Sequence, residues 1–276
     1  MYRRSTNLLT CLTLSCLLGA AAWAGPAEEA RLDMVSRQIV TSPFDAQLYL
    51  QRALIHSDMG LEQQAFADVN RAEELGDPQD AALVHAILCY RQGQFAQAED
   101  LVNRFLLKYP HHVGALDYRA RILRDAGKTG PAAIAYLALL DQQPNSPPGT
   151  YLSASELLAV EQGPEAAIAL LDRRIAQVGP VSQLQRPAIA LEMQQRNYPA
   201  AIARLGSLHD SIRATPQWHL EMAEVLLLNG DEAQAVPHLQ VASEQLAVLR
   251  PTPARVRAYA DLDRLRADYA VRLENR

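Results

Sequence analysis

Three groups of residues in this 276-residue chain are of types that could do chemistry. Gly127-Lys128-Thr129 has the letters that close a phosphate-binding loop, where glycine amides cradle phosphate and the lysine reaches its outer oxygens. Such a loop needs another glycine five residues before Gly127, where Ile122 stands, and a strand leading into it, whereas this stretch continues a helical pattern. It reads as an inter-helix turn. The histidines are His56, His85, His111, His112, His209, His219 and His238, and no two stand four apart, the spacing that sets two imidazoles on one helical face for zinc. His111 and His112 diverge by about 100° on a helix of about 3.6 residues per turn, so a turn or cap role suits them. Cys89 falls on an apolar helical ridge and reads as packing, because a reactive thiolate needs cationic, accessible surroundings. No glycine-flanked serine and no close pair of acidic residues stands beside an apolar slot. We expect no catalytic residue, no metal site, no cofactor and no small-molecule substrate.

The beginning of the chain bounds where these residues work. Arg3 and Arg4, the mostly apolar run Leu8 to Leu18 and Ala22-Trp23-Ala24 before Gly25 read as a secretory signal over residues 1–24. The run is interrupted by Thr10, Thr13 and Ser15 and is shorter than the roughly 20 residues that span a bilayer. The expectation is an exported, periplasmic protein, with secretion or a lipid anchor as alternatives; membrane association follows only if the signal is uncleaved or Cys16 is lipidated. Without the signal the chain keeps one cysteine, Cys89, and 24 Lys and Arg against 31 Asp and Glu. One cysteine closes no internal disulfide, so apolar burial must hold the fold. The acidic balance argues against nucleic acid, whose binders gain most of their affinity from Lys and Arg on phosphates.

The elements that position these residues show in a repeat. Ala-Ala-Ile-Ala starts at Ala132, Ala166 and Ala200, 34 residues apart each time. Stepping back twelve pairs Ala53 with Ala65, Ala86 with Ala98, Ala120 with Ala132, Ala154 with Ala166, Ala188 with Ala200, and Ala223 with Ala235. Each pair sets a small side chain on each of two helices that must approach to about 8–10 Å. Gly60, Gly93, Gly127 and Gly230 stand five residues before the second alanine, where a helix stops in a left-handed conformation. Glu161 and Gln195 hold that place in the fourth and fifth units, with Gly163 and Asn197 displaced by two, so those turns are expected to differ in shape. Pro187 is expected to shorten the first helix of the fifth unit. Residues 28–41 read as a lone second helix. After Pro251 and Pro253, a stripe from Val256 to Leu273 reads as a cap whose arginines and aspartates form a solvated face or serve an acidic partner.

The period of 34, first-helix alanine, turn glycine, second-helix alanine and closing Pro110 and Pro144 resemble the tetratricopeptide repeat (TPR) family over about residues 46–250. The aromatic that the family carries early in the first helix is Tyr49, with Tyr151 and Trp218 one place off. The resemblance implies an all-α, right-handed α-solenoid of about six helix-turn-helix repeats with an N-terminal half repeat and a C-terminal capping helix. The implied divisions are 1–24 signal peptide, 25–45 half repeat, 46–250 solenoid and 251–276 cap. The repeat units run about 46–78, 79–112, 113–146, 147–180, 181–215 and 216–250.

It further implies that first helices line a concave groove. The family's groove positions fall here on Tyr90, Arg91, Asp117, Arg121, Arg124, Tyr151, Glu192 and Glu224 among others. Tyrosine and arginine dominate interface hot spots, and arginine takes carboxylates bidentately, so an extended peptide with acidic side chains or a free C-terminus suits this set. Asp117 with Arg121 also reads as an i, i+4 ion pair on a solvated face that binds nothing, the reading that weighs more at any single residue. The family's paired lysines and asparagines for chaperone-type tails are missing at these places. The implied function is a non-catalytic protein-protein interaction scaffold or adaptor in the cell envelope; a self-associating scaffold and an accessory subunit of an envelope enzyme or secretion complex are the alternatives.

Overall fold

A computed structural model describes residues 25–248, 250 and 252–274. The expected signal peptide and Cys16 lie outside the described residues, as does Pro251. Every regular element among the described residues is a helix, in an all-α solenoid of antiparallel helix pairs. The chain divides into two compact units, residues 1–118 and 119–276.

The first unit holds α1 (Pro26–Thr41), α2 (Ala46–Asp58), α3 (Glu62–Leu75), α4 (Pro78–Arg91), α5 (Phe95–Lys108) and the start of α6 (Val113–Asp125). Three of its helices, α2, α4 and α6, begin where a side chain satisfies an orphan amide of the first turn. Asp45 accepts from the Gln47 amide at 3.0 Å, Asp77 from Gln79 at 2.8 Å, and His112 Nδ1 from Ala115 at 3.1 Å. The cap reading of His112 is thus correct. The turns close on Gly60 and Gly93, both at φ +72°. Each repeats one hydrogen-bond pattern, Met59, Gly60 and Leu61 donating to Ile55, Ser57 and His56 just as Gln92, Gly93 and Gln94 donate to Leu88, Tyr90 and Cys89. Ala53, Ala65, Ala86, Ala98 and Cys89 are fully buried, and burial pushes the Cys89 thiol pKa up.

The second unit continues α6 and adds α7 (Thr129–Gln142), α8 (Pro148–Glu161), α9 (Pro164–Val178), α10 (Ser182–Gln194), α11 (Tyr198–Ser207), α12 (Asp210–Arg213), α13 (Pro216–Asn229), α14 (Glu232–Val248) and α15 (Pro253–Glu274). Gly127 and Gly230 are left-handed, at φ +73° and +85°. The Gly127-Lys128-Thr129 stretch is the turn between α6 and α7.

The register differs from the sequence reading at the fourth and fifth pairs. Ala167 and Ala201 are fully buried, while Ala166 and Ala200 are half-exposed. In these pairs 13 residues, not 12, separate Ala154 from Ala167 and Ala188 from Ala201, because α8 and α10 run further past their alanine before turning. The repeated tetrapeptide therefore buries both leading alanines, Ala132 and Ala133, in the first copy and only its second in the later two copies. The expected difference in turn shape holds only for the fourth pair, where Gly163 takes φ +93°, ψ 166° ahead of Pro164. In the fifth, Gln195, Arg196 and Asn197 repeat the hydrogen bonds of the glycine turns, with Arg196 itself at φ +59°.

Pro187 does not shorten its helix. It lies inside α10, whose 13 residues equal those of α2 and α6. The bond it forfeits is to the carbonyl of Gln183, an exposed residue in the first turn where water can take the donor's place. The short helix is α11, with 10 residues, and the four-residue α12 follows it.

Candidate functional site

Tyr90 lies in the last turn of α4, half-buried, with its ring 6.0 Å from Phe95 and 6.0 Å from Tyr118 of α6 in an edge-on contact. Arg91, the next residue, is exposed; it reaches Asp58 Oδ1 at 2.8 Å and donates to Ser57 Oγ at 2.6 Å, both at the end of α2. Asp117 is half-buried on α6, one residue before Tyr118. The first unit thus brings two tyrosines and one accessible guanidinium onto its first helices. Phe95, Tyr118 and Ser57 were missed by counting groove positions, because a second-helix start and off-register places contribute to the same surface.

In the second unit Arg121 is half-exposed on α6. Arg124 is anchored by Asp125 Oδ1 at 2.7 Å, by the Tyr136 hydroxyl at 3.2 Å and by Ser153 Oγ at 3.4 Å.

Tyr151 does not line a groove. It is fully buried, its hydroxyl donates to the Pro144 carbonyl at 2.8 Å, and the Arg174 guanidinium lies 5.6 Å from its ring centre. Tyr49 does the same with Pro43 at 3.1 Å under Arg52, and Trp218 Nε1 donates to Leu205 O at 2.9 Å. An aromatic early in a first helix here packs its ring inward and satisfies its polar tip on a carbonyl of the preceding segment. A proline six or seven residues before each tyrosine was the signal available in the sequence.

Glu192 is likewise core rather than surface. Its side chain is 4% exposed and accepts from Arg204 Nε at 2.6 Å, while Arg204 also grips Asp172 bidentately at 2.6 and 2.9 Å and reaches Gln185 at 3.2 Å. Hydrogen bonds first from Asp172 and then from Glu192 hold the guanidinium pKa above its ordinary range, against burial. Glu224 is half-buried and taken by Arg264 of α15 at 3.0 Å. Of the eight predicted residues, Arg91 is exposed and Tyr90 half-buried beside it in the chain, while Tyr151 and Glu192 belong to the interior.

Two histidines that sequence spacing kept apart do meet. His219 of α13 and His238 of α14 face each other with 2.9 Å between their Nδ1 atoms, and both rings stand edge-on to Trp218. Ring centres 5.1 Å apart mean the nitrogens point almost head-on, the geometry of one N–H···N bond between neutral imidazoles. Burial lowers both pKa values, helped at His219 by the neighbouring His238. Among the described residues no group of three or more metal-capable side chains occurs.

No family model and no curated protein matches the chain. Solved structures do match. The C-terminal part of a TPR repeat-containing protein from Cytophaga hutchinsonii superposes with a TM-score of 0.65 at 9% identity, covering 84% of this chain and 94% of that one. A tetratricopeptide repeat protein from Parabacteroides merdae gives 0.52 at 17% identity over 83% and 87% of the two chains. The MamA protein gives 0.51 at 16% identity over 63% and 98%. The fold is that of the tetratricopeptide repeat proteins.

Proposed function

We propose that the protein is a non-catalytic interaction scaffold, and that the first-helix surface around Tyr90 and Arg91 holds an extended partner segment carrying a carboxylate. The observation that carries this reading is that the first helices of one unit carry both an exposed guanidinium, Arg91, and two half-buried rings in contact, Tyr90 and Tyr118. Aromatic faces give a rigid apolar platform at low entropic cost, and a guanidinium fork fixes a carboxylate against it. The Asp58 carboxylate already shows which chemistry Arg91 accepts. Both side chains of that pair reach solvent, at 39% and 41% exposure, so exchanging it for a partner's carboxylate costs little.

Export to the periplasm is the second part of the reading, supported by Arg3, Arg4, the apolar run and Ala22-Trp23-Ala24. N-terminal sequencing of the protein recovered from cells tests it: a start at Gly25 is expected, and an intact Met1 in the cytoplasm contradicts it.

The surface is tested with fluorescent peptides that alternate acidic and apolar residues, with a free or an amidated C-terminus. Binding by the wild type and at least about tenfold weaker binding by R91E are expected, the loss of a charge-assisted bond. Equal binding by both proteins contradicts the assignment.

A further inference from the structure

We infer that α15 of one copy docks on α1 of another, so that the chain self-associates head to tail. Helix α15 has two opposed faces. Ala258, Leu262 and Leu265 are buried in the cluster with α13 and α14. Directly across the helix, Val256, Ala260, Asp263, Ala267 and Val271 recur at the i, i+4, i+7, i+11 and i+15 places and all are exposed. Ala260 is the eighth residue of α15, the place that Ala53, Ala120 and Ala223 hold in α2, α6 and α13. Those three alanines are fully buried beneath a second helix. The face of α15 is therefore built as a first-helix face, small at the point of closest approach, and its side chains are exposed.

The occupant is indicated by the other end of the fold. Helix α1 packs as a lone second helix, burying Val35 and Ile39. Its opposite face carries Ala27, Ala30, Met34, Arg37 and Thr41, again small or apolar with one charge, and all five are exposed. Both stripes span about 21–22 Å at about 1.5 Å per residue. Laid antiparallel and centred, they bring Arg37 within less than one turn of Asp263, inside the reach of an arginine side chain. Arg37 now pairs with Asp33 at 2.7 Å, but both side chains are more than half exposed and such a pair is exchanged cheaply.

A symmetric pairing of α15 with its own copy is disfavoured by the same residue. Asp263 lies at the centre of the stripe, so a two-fold axis there would set Asp263 against Asp263. The pairing of α15 with α1 is heterologous: each copy offers one face of each kind, so association either closes into a ring of copies or extends as a chain. This inference stands apart from the Tyr90 and Arg91 surface, and R91E leaves it unchanged.

Sedimentation velocity of the full chain across a concentration series tests it, with wild type, R37D, D263R and the double variant R37D/D263R. The wild type is expected to gain mass past the monomer as concentration rises. Each single reversal should move that rise to at least about tenfold higher concentration through like-charge contact. The double variant should restore it, and so should an equimolar mixture of the two single variants. Ala260→Arg, at an exposed position, should also abolish the rise, and circular dichroism melting checks that every variant is folded. A wild type that stays monomeric through the micromolar range overturns the inference, as does association indifferent to both reversals. A D263A protein that forms only tighter dimers would show the symmetric pairing instead.

Discussion

The second and fifth helix pairs follow one plan and use its polar residues in opposite ways. Four residues past the first-helix alanine, Tyr90 on α4 is half-buried at the surface, whereas Glu192 on α10 is in the core. The interior between α4 and α5 is apolar, with Ala86, Cys89, Ala98 and Val102 fully buried, and polar side chains are left outside. Between α10 and α11 the second helix carries Arg204, and a guanidinium in that place recruits Glu192, Asp172 and Gln185 inward. A repeat position is thus a place on a helix, and what stands across the pair decides whether it is available to a partner.

The largest effect expected from this contrast lies in the fifth pair. Glu192→Ala leaves Arg204 short of a buried acceptor while Asp172 still pairs its charge, and should destabilise by about 1–3 kcal/mol, read as a fall in the urea midpoint. Arg91→Ala, which breaks an exposed pair with Asp58, should cost no more than about 1 kcal/mol in the same assay. Equal losses would remove the distinction between the two pairs.

A smaller effect separates their turns. Gly93 and Arg196 hold equivalent left-handed positions, and an L side chain there costs about 1–2 kcal/mol, offset by about 0.5–1 kcal/mol of glycine chain entropy. Gly93→Ala should therefore destabilise by about 1 kcal/mol and Arg196→Gly stabilise by a similar amount. Thermal melting of both variants checks the opposite signs.

The smallest effect is acid sensitivity in the sixth pair. His219 and His238 have folded-state pKa values below their ordinary 6.5. The unfolded chain then binds more protons in the window beneath that value. Stability is complete above about pH 6.5, declines as pH falls through the window, and declines no further below the folded values. Denaturant titrations at stepped pH should show that loss in the wild type and less of it in H238Q.

The helix pairing was legible because small residues and glycines repeat for steric reasons that tolerate little variation, as Ala53 with Ala65 and Gly60 show. The one-residue shift at Ala167 and Ala201 was not, since Ala-Ala-Ile-Ala offers two adjacent alanines and only the length of α8 or α10 decides between them. Tyr151 and Glu192 were misplaced for a related reason. Family positions fix a direction on a helix, while a buried hydroxyl or carboxylate is fixed by partners such as the Pro144 carbonyl and Arg204, which stand on the neighbouring loop or helix. The His219 and His238 contact was hidden by a separation of 19 residues across two helices.

The central claim is that the Tyr90 face meets a partner and the Tyr151 place does not. Incorporating the photo-crosslinking residue benzoylphenylalanine at position 90 or at position 151 in cells, with irradiation and mass spectrometry of the adducts, tests it directly. A discrete partner adduct from position 90 and none from position 151 is the predicted result. Adducts from position 151 with none from position 90 would contradict it.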